Sequence, residues 1–220
     1  GPLYHDAGTL ILRGSDPLDC SYLNLGRESG SDPAILNLGA DGVVLDVPLI
    51  VRSGSSGVKQ LVAGNSEGTV TLSAAGYVNL VDDLWAEADS GGSLLFAGDI
   101  NMGAGGNHDL SITGANDVIL SARLVAPSRD SDLNVMGHFH PNGDNRSDVD
   151  NQMRINISAG GILNVDWVND FGDEPTSAYT DKVNFLGAGG TLNVTNDINL
   201  TAVSGYQYGF TVAEGAHAVL

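Results

Sequence analysis

Cysteine is nearly absent. The 220-residue chain has one, Cys20, so no internal disulfide can form. Charge of positive sign is also scarce, with 9 Lys and Arg against 27 Asp and Glu and a net charge of −18. That balance leaves no basic stripe able to displace phosphate counterions, and so argues against a nucleic-acid partner. It disfavours an anionic membrane surface for the same reason. No run of about 20 apolar residues exists, so no membrane insertion is expected. Nor does any stretch keep a long 3.6-residue apolar period, which argues against a helical bundle. The best helix candidate is 82–88, and Trp85-Ala86-Glu87-Ala88 within it reads equally well as a short strand. No signal peptide is visible.

What is present is a repeated triplet. The pattern apolar–Asn–apolar occurs ten times, beginning at Leu23, Leu36, Val78, Ile100, Leu133, Ile155, Leu163, Val183, Leu192 and Ile198. In a strand, each triplet sends two apolar side chains to one face and one amide to the other. Asn is depleted in ordinary strands, so its recurrence points to one supersecondary unit used repeatedly. The interval from Asn79 to Asn101 recurs from Asn134 to Asn156, and that from Asn164 to Asn184 is nearly the same. Similar strands centred on Ser, Thr or Ile lie between, at Val70-Thr71-Leu72, Leu110-Ser111-Ile112 and Val118-Ile119-Leu120. Thirty glycines supply the punctuation, as in Gly91-Gly92, Gly160-Gly161 and Gly189-Gly190.

The expected fold is therefore all-β, a parallel β-helix (β-solenoid) of roughly 20–25 residues per rung. Nine or ten rungs at about 4.8 Å each make a rod of roughly 45 Å. An antiparallel sandwich is the competing architecture, but tight two-residue hairpin signals are few. Residues 1–8 read as a tag scar, Gly1-Pro2, and a lead-in. Residues 9–220 read as a single β-helix segment, a fragment of a longer protein, with 127–152 as an inserted acidic loop. A second acidic excursion is expected over 170–181.

Several segments carry a resemblance. Gly98-Asp99-Ile100-Asn101-Met102, Asn116-Asp117-Val118-Ile119-Leu120 and Asn196-Asp197-Ile198-Asn199-Leu200 resemble repeats of the filamentous haemagglutinin class of secreted bacterial adhesins. Gly160-Gly161-Ile162-Leu163-Asn164-Val165 and Gly189-Gly190-Thr191-Leu192-Asn193-Val194 are similar to repeats of autotransporter passenger regions. The resemblance implies a right-handed parallel β-helix, export from a Gram-negative bacterium and an extracellular or cell-surface location. It also implies a role in adhesion or as a stalk. The expected partners are glycans or proteins on host or neighbouring cells, met by a monomeric segment.

The candidate chemistry lies in 127–152. His138-Phe139-His140 would project both imidazoles from one strand face, close enough to share a zinc ion. Asp144, Asp148 and Asp150, with Asn142, could supply the oxygen ligands that calcium prefers. The candidate metal set is thus His138, His140, Asp144, Asp148 and Asp150, with calcium favoured over zinc and neither required. Asp130-Ser131-Asp132 begins like a calcium-binding helix–loop–helix motif. It then departs at Val135, where the motif needs glycine, and at Pro141, where it needs glutamate. A solvated acidic loop accounts for the same residues. No nucleophile elbow, phosphate loop or metalloprotease motif is present, so no catalytic residue is assigned. A carbohydrate-active β-helix is the alternative function, since a glycosidase needs only two carboxylates at suitable separation. Trp85, Trp167, Tyr206 and Tyr208 are candidates either for stacking on sugars or for rung packing.

Overall fold

Alternation of apolar and polar residues, broken by glycine corners, coils this chain into a parallel β-solenoid. The computed structural model describes all residues except 15–17, 40–41, 65–67, 73–75, 90–91, 104–106, 127–130, 142–153, 166–180, 186–189, 195–208, 213–217 and 220. Among the described residues, twenty-three short strands form three sheets. Sheet A stacks β1 (Leu3–His5), β3 (Leu23–Leu25), β6 (Leu49–Val51), β9 (Val78–Leu80), β12 (Ile100–Asn101) and β15 (Leu124–Val125). Sheet B stacks β2 (Gly8–Leu12), β4 (Ala34–Leu38), β7 (Lys59–Ala63), β10 (Leu84–Ala88) and β13 (Leu110–Thr113). It continues through β16 (Asp132–Val135), β18 (Arg154–Ile157), β20 (Asp181–Phe185) and β22 (Gly209–Val212). Sheet C stacks β5 (Val44–Leu45), β8 (Thr69–Leu72), β11 (Ser93–Phe96), β14 (Asp117–Leu120) and β17 (His138–Pro141). It ends in β19 (Ile162–Val165), β21 (Gly190–Val194) and β23 (Ala218–Val219).

Each strand pairs in parallel with its counterpart one coil away, as in Leu36 with Leu61 and Ala86 with Ile112. The length of a coil varies. The step from Leu3 to its partner Leu23 is short, and the steps from Leu49 to Val78 and from Leu163 to Leu192 are long. Corners absorb most of the difference, since the paired strands keep their register, apart from one shift between Asp181 and Val183 where β20 meets β22. Inward positions make one continuous apolar core, including Leu36, Leu61, Phe96, Leu110, Phe139 and Leu163. Among the described residues, no helix is long and apolar enough to cross a membrane.

Corners depend on glycine where coils approach closely. Gly114 follows β13 with φ at +98°, and a Cβ there would overlap the Ala88 carbonyl oxygen of the previous coil. Only glycine satisfies both the left-handed backbone and the contact.

Several expectations change. The first strand begins at Leu3, inside the segment read as lead-in, and pairs with Leu23–Leu25. Of the two readings open for 82–88, the strand is the one that forms, as β10, because Leu84, Ala86 and Ala88 point inward with period 2. The 127–152 stretch is not one inserted loop. Asp132–Val135 and His138–Pro141 are ordinary rung strands, paired on both sides. Their alternation of buried Leu133, Val135 and Phe139 with polar neighbours is the same signal as elsewhere, masked in the sequence by two prolines and many charges. Residues 142–153 lie outside the described residues, as do 166–180 and 195–208.

Candidate functional site

Stacking equivalent positions coil upon coil converts single polar residues into columns. On sheet C, His138 and His140 both lie on the outer face of β17, as the strand reading requires. They turn toward Asp117 one coil below, His140 Nε2 at 3.0 Å and His138 Nδ1 at 3.5 Å from the same carboxylate oxygen. The Asn164 amide nitrogen stands 3.1 Å from His140 Nδ1 and 3.2 Å from Nε2, and Asn193 donates to Asn164 Oδ1 at 2.7 Å. With the His140 proton on Nε2, all donors point toward Asp117, forming one directional hydrogen-bonded column. Sheet B carries a second, in which Asn156 donates to Asn134 at 2.9 Å and Asn134 to Ser111 at 3.5 Å.

Of the metal candidates, His138 and His140 are thus brought together on one face, with Asp117 as a neighbour the sequence did not suggest. Asp144, Asp148 and Asp150 lie outside the described residues. Among the described residues, no group of three or more His, Cys, Asp or Glu is arranged to hold a metal ion.

A third column is acidic. Asp83 Oδ1 accepts the Asp109 backbone N–H at 2.9 Å, and Asp109 Oδ1 accepts that of Asp132 at 2.8 Å. Arg154 Nε closes the series on Asp132 at 2.6 Å. Asp83 and Asp109 thus each cap the start of the next sheet B strand. Burial pushes the Asp109 carboxyl above the usual carboxylate range. The Asp132 N–H draws it down, while the Asp83 and Asp132 charges push it further up. Because the folded value is raised, the native state holds its proton to higher pH than the unfolded chain. Its contribution is most favourable below about pH 4 and declines as pH rises through the raised value. Asp109→Asn keeps the acceptor oxygen and removes the charge. It should raise the melting temperature at pH 7, and the gain should vanish by about pH 3, where both carboxyls are protonated. Thermal melts across that range decide it. A gain that persists at the acid end would refute the assignment.

The described surface also holds a groove of about 460 Å³ at the corner between sheets C and A. Tyr77, Asp99 and Arg123 precede β9, β12 and β15 by one residue each. Val78 N donates to Asp99 O and Ile100 N to Arg123 O, both at 2.9 Å, which stacks the three in one column. Two residues along, Asn79 pairs with Asn101 and Asn101 with Val125. The buried column Val78, Ile100 and Leu124 lies between. Arg123 grips Asp99 through Nη2 at 2.5 Å, Nε at 3.2 Å and its backbone N–H at 3.1 Å. That side-chain hydrogen bond holds the Asp99 carboxyl below the usual range, although burial opposes it. The pair's stabilisation is present above the unfolded value, about 3.9, and is lost as pH falls through the lower folded one.

Sequence reading missed this groove. Its signal was the parity of Tyr77-Val78-Asn79-Leu80, which places an aromatic and an amide together on the outer face. Of the stacking candidates, Trp85 is exposed on sheet B between Gln60 and Ser111. Trp167, Tyr206 and Tyr208 lie outside the described residues. The fold and its surface define the chain as a parallel β-solenoid. No family model, curated protein or solved structure matches it.

Proposed function

We propose that this chain is an extracellular β-helical segment of a bacterial surface or secreted protein, acting in adhesion or as a structural stalk. The observation that carries the reading is one continuous apolar core along stacked coils, with outer columns free to vary in side-chain chemistry. Such a rod can hold recognition groups at fixed spacing without spending core residues on them. The resemblance of Asn116-Asp117-Val118-Ile119-Leu120 and its fellows to secreted adhesin repeats supports the same reading. Partners would be glycans or proteins on host or neighbouring cells.

The alternative is a carbohydrate-active β-helix. The groove at Tyr77 is lined by a single carboxylate, Asp99, already engaged by Arg123. A glycosidase of the usual kind places two carboxylates about the scissile bond. The test incubates the intact chain with a polysaccharide panel and assays released reducing ends, alongside binding of labelled chain to cells. Cell binding without release is the expected result. Release that is lost on changing one acidic residue would replace the adhesion reading with the enzyme.

A further inference from the structure

We infer that the groove formed by Tyr77, Asn79, Asp99, Asn101, Arg123 and Val125 is a binding site for a neutral hexose unit of a glycan. The inference rests on the adhesion reading and gives it a location and a ligand class.

A pyranose offers two kinds of surface, an apolar face of C–H groups and a rim of hydroxyls that both donate and accept. The groove offers a match to each. Tyr77 is 42% exposed, one of the large apolar side chains left in water among the described residues, and it lines the cavity. An aromatic face left in water beside a concavity suits the C–H face of a sugar. The rim requires fixed donors and acceptors. Asn101 Oδ1 accepts the Gly103 N–H at 2.9 Å, which holds the amide in place and leaves its Nδ2 as a donor. Asn79 stands beside it, one coil below. Asp99 adds acceptor lone pairs, and Arg123, 53% exposed, keeps N–H groups beyond those bound to Asp99. All these side chains project from strands or strand entries anchored in the core, so little ordering entropy remains to be lost on binding.

Charge selects among sugars. Asp99 and Arg123 cancel locally, so the lining residues offer no free cation to neutralise a uronate or sialate. The −18 net charge of the chain repels anionic chains at longer range. A neutral hexose meets neither penalty.

The experiment uses the full chain and calorimetric titration with cellotetraose, mannotetraose, galactotetraose and the acidic tetragalacturonate. At least one neutral tetrasaccharide should bind saturably. Tyr77→Ala and Asp99→Asn should each weaken it by about tenfold or more, with melting curves checking that the fold persists. Tyr77→Phe keeps the ring and should retain most of the affinity. Trp85→Ala, on another face, should change nothing. No neutral binding, tetragalacturonate binding more tightly, or binding unchanged in Tyr77→Ala overturns the assignment. The two readings fail separately. Cell binding that persists in Tyr77→Ala removes the groove and leaves adhesion standing, whereas polysaccharide cleavage by the intact chain removes adhesion itself.

Discussion

Leu163→Asp should lower stability by about 4 kcal/mol, while Asn164→Asp, one residue along, should cost about 1 kcal/mol. Leu163 is 1% exposed and is paired between Phe139 and Leu192 in the coils on either side. A carboxylate there has no donor to meet it and must either stay charged in an apolar core or take up a proton. Both routes are costly. Asn164 faces outward in the column that runs from Asn193 through His140 to Asp117. An aspartate there loses the donor toward His140 but still accepts from Asn193, and water reaches it. Urea unfolding of both variants measures the difference. In a solenoid each coil leans on its neighbours, so the loss should concentrate in β17, β19 and β21 and be visible there by hydrogen exchange. Equal damage from the two substitutions would contradict the facing that the fold assigns.

The same alternation explains how much of the architecture could be read from residues alone. A period of 2 with Asn at the outer position marks a strand and its facing. A recurring interval marks the coil where the corners are short. Asn79 does pair with Asn101, and Asn134 with Asn156. The third interval misled. Asn164 pairs with Asn193, and Asn184 with Asn156, so each of these coils is longer than the repeated interval suggests. Similar triplets in adjacent sheets cannot be told apart by composition, so spacing alone could not choose the partner. Asn24 is a second exception. It is only 5% exposed, between Tyr4 and Ile50 of neighbouring coils, and so is buried despite its outward parity.

The site was less legible for a physical reason. Tyr77, Asp99 and Arg123 come from three successive coils, and nothing local in the sequence links them. Only the register of sheet A makes them neighbours. His138 and His140 were visible because one strand carries both, yet their partner Asp117 comes from the previous coil. Contacts within a strand can be read from a window of a few residues. Contacts between coils require the period to be known at each step.

Removing the Asp82 carboxylate should be more damaging than removing the lysine it serves. Lys59 opens β7 at an inward position and is 4% exposed. Its stem passes beneath Gly26, which has φ at +96°, and a Cβ on that glycine would stand 3.1 Å from Lys59 Cε. The ammonium emerges to donate to Ser55 O and to Asp82 Oδ2, both at 2.6 Å. Asp82 itself is 27% exposed. In Asp82→Ala, a buried ammonium is left with one carbonyl acceptor. The expected cost is about 3 kcal/mol, the low end for a broken buried pair because water can enter where Asp82 stood. Lys59→Met keeps an unbranched stem under Gly26 and removes the charge, while the Asp82 carboxylate turns to water. Its effect should stay within about 1 kcal/mol of zero. The double variant should match Lys59→Met, since no ammonium remains for the carboxylate to answer. Urea midpoints of the three proteins provide the cycle. If Lys59→Met proves the more damaging single change, the lysine contributes chiefly through packing at the Gly26 corner rather than through its ion pair.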